Sequence, residues 1–141
     1  MPEAGRGLTF FIDRGIGSRI VPNALRAAGW TLVTMDELYG TLESQRTDDV
    51  DWIAEAADRG EVSICKDTAV ASNPEEAQTI YMHAARVFAF ANKHLTGQQM
   101  ADLLLRWQSE IWSISERAAG PYVFAISDHR PHRRRLRYPP P

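Results

Sequence analysis

Three aspartates are the residues of this 141-residue chain best suited to do chemistry together. Asp13 closes the apolar run LTFFID, Asp67 closes EVSICKD, and Asp51 lies at the start of the amphipathic stretch DVDWIAEAADRG. Carboxylates that converge repel one another and hold their protons more tightly unless a cation compensates them. Three of them, with water, form a hard-oxygen site suited to Mg²⁺ or Mn²⁺. An ion held there would orient a phosphodiester for attack by water. The competing reading is plain: aspartates are common surface and capping residues, and three of them need not form a site.

The elements around these acids decide whether they can meet. Residues 8–13 form a continuous apolar run without two-residue alternation, as expected of a buried central strand. Ser18 is placed to cap a helix whose stripe is Ile20, Val21, Ala24, Leu25 and Ala28, with Pro22 in the first turn and Gly29 as the stop. TLVTM (31–35) reads as a second strand and the polar residues 41–48 as a loop. Asp48 or Asp49 caps the next helix, whose inward residues are Trp52, Ile53, Ala56 and Ala57. EVSICKD is a third strand, and Asn73-Pro74-Glu75-Glu76 is a helix start in which Glu76 completes a capping box. RVFAFAN and PYVFAIS complete a set of five strands, with one long helix over 100–118 between them.

Strands alternating with amphipathic helices give an α/β fold with a parallel sheet covered on both faces. Ligands of such sheets bind beyond the carboxyl ends of the strands. Asp13 and Asp67 share that rim. The helix carrying Asp51 runs antiparallel to the following strand, so its start approaches the same rim.

Other residues are weaker candidates. Asp36 and Glu37 follow the second strand, where they either assist a metal site or form an exposed turn pair. Arg14, Ser18 and Arg19 sit near the first acid and are placed to contact phosphate; Arg14 could equally tie a neighbouring carboxylate to its loop. Lys66 ranks below these arginines because strand geometry turns it away from Asp67. Trp30, Trp52, Trp107 and Trp112 fit packing positions, Cys65 reads as a small buried hydrophobe, and the four histidines lack metal-ligand spacing. Gly15-Ile16-Gly17 has neither a dinucleotide fingerprint nor a phosphate-loop lysine.

The segments FFIDRGIGSRIVPNALRAAGW, DVDWIAEAADRGEVSICKD and VFAFANKHLTGQQMA resemble the PIN-like nucleases, close to the VapC-type toxins of bacterial toxin–antitoxin pairs. The resemblance covers roughly residues 8–105. It implies a three-layer sandwich around a central, mostly parallel sheet, and a metal-dependent endoribonuclease that uses Mg²⁺ or Mn²⁺. It places the metal-binding, catalytic acids at Asp13, Asp51 and Asp67. It further implies an RNA substrate, inhibition by a cognate antitoxin and frequent homodimerisation. The family's further acid near the fourth strand is replaced by Asn92, an oxygen ligand without charge. The alternative is a PIN-like module that binds nucleic acid or protein without cleaving it.

Charge divides the chain unevenly. Residues 129–137 hold Arg130, Arg133, Arg134, Arg135 and Arg137, and everything before them carries 11 basic against 18 acidic residues. The expected organisation is a PIN-like domain over 1–128 and a basic, proline-ended tail over 129–141, able to meet an anionic partner or simply to aid solubility. No run reaches membrane-spanning length, the start has no secretory pattern and Cys65 stands alone, so a cytoplasmic setting is expected.

Overall fold

The computed structural model describes residues 7–140. The first six residues, read above for a leader, and Pro141 of the proline run lie outside the described residues. The element order is β1 (Phe10–Ile12), a 3₁₀ turn (Arg14–Ile16), α1 (Ile20–Ala27), β2 (Leu32–Thr34), α2 (Met35–Tyr39), α3 (Thr41–Arg46), α4 (Asp49–Asp58) and β3 (Val62–Cys65). A second 3₁₀ turn (Thr68–Ala71) follows, then α5 (Pro74–Met82), β4 (Arg86–Phe90), α6 (Gly97–Arg106), α7 (Gln108–Arg117), β5 (Tyr122–Ile126) and β6 (His132–Arg134).

The six strands form one sheet in the order β2-β1-β3-β4-β5-β6. β1 to β5 are parallel, and only β6 pairs antiparallel, at the β5 edge. Alternate residues of each strand enter opposite layers. Phe10, Ile12, Ile64, Phe88, Phe90, Tyr122 and Ile126 pack with Val21 and Leu25 of α1, Leu104 of α6 and Ile111 of α7. Phe11, Cys65, Val87, Ala89 and Val123 pack with Trp52 and Ile53 of α4 and Ile80 of α5. The result is the expected three-layer α/β sandwich, in which strand side chains are buried on both faces. No described helix is long and apolar enough to cross a membrane.

Several local expectations change. Residues 41–46 are helical, and Asp36 and Glu37 lie in α2, which begins with a capping box: Thr34 Oγ1 accepts from Glu37 N at 3.1 Å and Glu37 Oε1 accepts from Thr34 N at 2.8 Å. The T-x-x-E spacing of 34–37 starts α2, and α3 follows from Gly40 without a side-chain cap, so most of the polar stretch expected as a loop is helical. Ser18 makes no cap; Arg19 occupies that position without a side-chain bond. The long helix divides at Trp107, whose indole donates to Ser127 O at 2.8 Å. Both halves keep the apolar period, so the break leaves no trace in the pattern. Residues 132–134 are an edge strand, and Arg137 N donates to Ala71 O at 2.9 Å.

Candidate active site

The chain leaves β1 for β2 on one side and returns to place β3 on the other. The β1/β3 border is therefore where strand order reverses, the usual ligand crevice of an open α/β sheet. A cavity of about 370 Å³ opens nearby, lined by Asp13, Asp49, Asp67 and Glu76 together with Arg14, Lys66, Trp52 and Asn73.

Asp13 follows β1 and caps the first 3₁₀ turn. Its carboxylate accepts from Gly15 N and, at 3.3 Å, from Lys66 N, so it joins the ends of β1 and β3. Gly15 makes room for this arrangement: a Cβ there would lie 3.0 Å from Asp13 Oδ1 and 3.2 Å from Lys66 Cβ. Burial pushes the Asp13 carboxyl up to about 6, against the lowering effect of the two backbone donors and with Asp49 adding repulsion. Asp67 follows β3, caps the second 3₁₀ turn and accepts from Ala69 N at 2.9 Å.

The acid of α4 that reaches the cavity is Asp49, not the expected Asp51. Helix period decides this. Asp49 and Trp52 are three residues apart and share a face, whereas Asp51 is turned about 200° from Asp49. Trp52 is buried against Phe11, with ring centroids 5.2 Å apart, which fixes the rotation of α4. Its indole donates to Asp49 Oδ1 at 3.0 Å, while Asp51 is exposed and outside the cavity lining.

Glu76 is the fourth acid. Its backbone N–H is capped by Asn73 Oδ1 at 3.0 Å. Its side chain lines the cavity, although the sequence suggested that it would close a capping box. Burial, followed by the charges of Asp49 and Asp67, raises Glu76 to about 7.

Arg14 acts as a tie. Its guanidinium donates to Ser44 O and Thr47 O, both at 2.8 Å, and lies 3.6 Å from Asp49 Oδ1. It thereby joins the end of α3 and the start of α4 to the Asp13 turn. The remaining candidates lie outside the lining of the acidic cavity. Asp36 accepts from buried Ser44 and, with Ser18, lines a smaller cavity of about 140 Å³ that shares Asp13 and Arg14 with the acidic one. Glu37 is bound to Arg26 Nη2 at 2.8 and 3.0 Å, and its pKa is lowered first by the Thr34 backbone bond and then by Arg26. Arg19 is exposed at the start of α1. Asn92 is exposed and accepts from His94 N at 2.9 Å, outside the acidic cavity. Cys65 touches the cavity wall, but burial raises its thiol pKa well above the ordinary value, which leaves no thiolate for attack.

The donor set fits a hard divalent ion in chemistry: four carboxylates, no sulfur ligand in its reactive form and no imidazole. Among the described residues, no group of three or more His, Cys, Asp or Glu side chains is gathered closely enough to hold an ion as placed.

Residues 8–92 match the family described as "PIN like domain". This chain belongs to the PIN-like domain family. All four cavity acids fall within the matched span, and the arginines after residue 129 fall beyond it. A protein of Mycobacterium tuberculosis named "Putative ribonuclease VapC45" is 32% identical over 118 residues, which covers 82% of this chain and 83% of that protein. The similarity is thus to a VapC-type member and extends through nearly the whole fold. No solved structure matches the chain.

Proposed function

We propose that the protein is a metal-dependent endoribonuclease of the VapC toxin type, restrained by a cognate antitoxin. The observation that carries this reading is the convergence of Asp13, Asp49, Asp67 and Glu76 on one cavity at the strand-order reversal of a PIN-like sheet.

Asp13, Asp49 and Asp67 would hold Mg²⁺ or Mn²⁺, which supplies charge neutralisation among the acids and polarises a phosphodiester. The chain does the rest. Two backbone N–H groups fix Asp13, and the Trp52 indole with the Arg14 guanidinium orients Asp49. Glu76 lines the same cavity beside these acids, and in the metal-free protein burial and the charges of Asp49 and Asp67 raise its carboxyl to about 7; its carboxylate is placed to take a proton from the attacking water. Single-stranded RNA is the preferred substrate form because its backbone and bases are open to a shallow site. An antitoxin that lays a basic side chain among the acids would replace the cation and block phosphate entry. Action in the cytoplasm and a homodimeric state belong to the same reading.

The test is cleavage of a panel of single-stranded RNAs with Mg²⁺, Mn²⁺ or EDTA, by wild type and Asp13→Asn. Cleavage that needs metal and falls at least 100-fold in the variant supports the reading. Metal-independent cleavage, or none across the panel, rejects it.

A further inference from the structure

A second cavity, of about 280 Å³, adjoins the acidic one. It is lined by Arg134, Arg135 and Arg137 opposite Thr68 and Ser72, and it shares Asp67 and Ala69 with the acidic cavity. We propose that this cavity is a phosphate-binding subsite that holds the RNA backbone next to the scissile position. The proposal rests on the ribonuclease reading and names the part of the site that grips substrate.

Four observations carry it. First, the segment is built into the fold. β6 pairs with β5, Arg137 N donates to Ala71 O at 2.9 Å, Leu136 packs on the Trp52 layer, and Tyr138 lies 5.3 Å from Tyr81. The arginines are therefore carried to the edge of the second 3₁₀ turn, the turn capped by Asp67.

Second, strand alternation sorts them. Arg133 stands opposite Phe124 and stacks on Tyr122 and Phe124, at 5.6 and 5.3 Å from their ring centroids. Arg134 stands opposite Val123, whose side chain belongs to the Trp52 layer, and so faces the acidic cavity's side of the sheet. Arg130 lines a different cavity, beside Glu110 of α7.

Third, no ion pair or side-chain hydrogen bond engages Arg134, Arg135 or Arg137 among the described residues, while Arg14, Arg26, Arg59 and Arg106 each have an acidic partner. Three guanidinium groups face one carboxylate, which leaves the cavity positive.

Fourth, the Thr68 hydroxyl adds a neutral donor of the kind that binds phosphate oxygens, while the Ser72 hydroxyl donates to Ala69 O at 3.3 Å. A polyanion whose reacting phosphate enters the acidic cavity needs neighbouring charge to offset repulsion from four carboxylates. The arginine cavity provides it at the shared wall.

The experiment uses the full chain. Binding of a fluorescent single-stranded RNA is followed over a salt series in EDTA, and cleavage kinetics are measured with Mn²⁺. Wild type is compared with Arg134→Gln/Arg135→Gln/Arg137→Gln, with the matching triple Lys variant, and with Arg117→Gln on α7 as a charge control. Thermal unfolding verifies each fold. Loss of three phosphate contacts makes the slope of log K against log salt shallower by about 2, at about 0.7 per contact. The proposal expects that change, a KM raised at least tenfold with kcat within twofold of wild type, and substantial recovery in the Lys variant. It expects no change in Arg117→Gln.

Wild-type cleavage with unchanged KM and slope in the Gln variant overturns the subsite and leaves the nuclease reading standing. Arginine-dependent RNA binding by a wild type that cleaves nothing does the reverse. Unchanged RNA binding with lost affinity for an acidic peptide overturns the proposal in favour of a protein partner. If the triple Gln variant fails to fold, Arg134→Gln and Arg135→Gln alone, expected to reduce the slope by about 0.7 each, decide the matter.

Discussion

Asp13→Asn should stabilise the metal-free protein above neutral pH even as it removes an acid from the active site. In the fold Asp13 titrates at about 6 against an ordinary 3.8, because burial disfavours its charge. A folded-state pKa above the unfolded one means that the native state binds more protons between these values. Wild-type stability therefore falls as pH rises from about 4 and levels off above about 7. The gap amounts to roughly 3 kcal/mol at about 1.4 kcal/mol per pH unit. An asparagine escapes that cost but can accept through only one oxygen. It keeps the bond from Gly15 N and loses the longer one from Lys66 N, worth about 1 kcal/mol. The net expectation is a gain of about 2 kcal/mol at pH 8 that shrinks towards zero or below by pH 4. Urea unfolding in EDTA at pH 4, 6 and 8 measures it. A variant no more stable than wild type at pH 8, or a difference independent of pH, would refute the account of a destabilised carboxylate.

Three further outcomes follow from the same geometry. Mn²⁺ binding should tighten about fourfold between pH 5.5 and 7.5, because a proton must leave Asp13, which titrates at about 6; calorimetry that shows pH-independent affinity contradicts this. Arg14→Ala removes the bonds to Ser44 O and Thr47 O and should cost about 2 kcal/mol; its cleavage rate should fall more than tenfold through displaced Asp49, and a rate within twofold of wild type argues against the tie. Gly120→Ala would drive a Cβ into the Ala84 carbonyl and should cost about 3 kcal/mol, read by thermal unfolding, with a loss under about 0.5 kcal/mol as the contrary result.

Much of the architecture was legible because each layer is written in the strands. Largely apolar runs at 8–12, 62–65 and 87–90 pointed to buried parallel strands, and Asp13 and Asp67 follow closely after the first two. Helix rotation was harder to read. Placing the start of α4 at the rim follows from topology, but choosing Asp49 over Asp51 requires knowing that Trp52 is buried beneath the cavity. The i, i+3 spacing from that tryptophan was the available signal. Glu76 was obscured by a second valid use of its position, since the third residue of a helix can cap or face outward. Lys66 was ranked low on strict strand alternation, yet β3 ends at Cys65 and alternation no longer governs the next side chain. The terminal arginines look like a solvated tail by composition alone. Pairing of β6 depends on β5, an interaction between segments that local propensity does not encode.

The most direct test is the metal-dependent RNA cleavage rate of Asp49→Asn beside Asp51→Asn. The two substitutions make the same chemical change two residues apart on one helix, and only Asp49 lines the acidic cavity. A loss of at least 100-fold in Asp49→Asn, with Asp51→Asn within about twofold of wild type, is the predicted result. Equal rates for wild type and Asp49→Asn, or a collapse confined to Asp51→Asn, would contradict the assignment of this cavity as the catalytic centre.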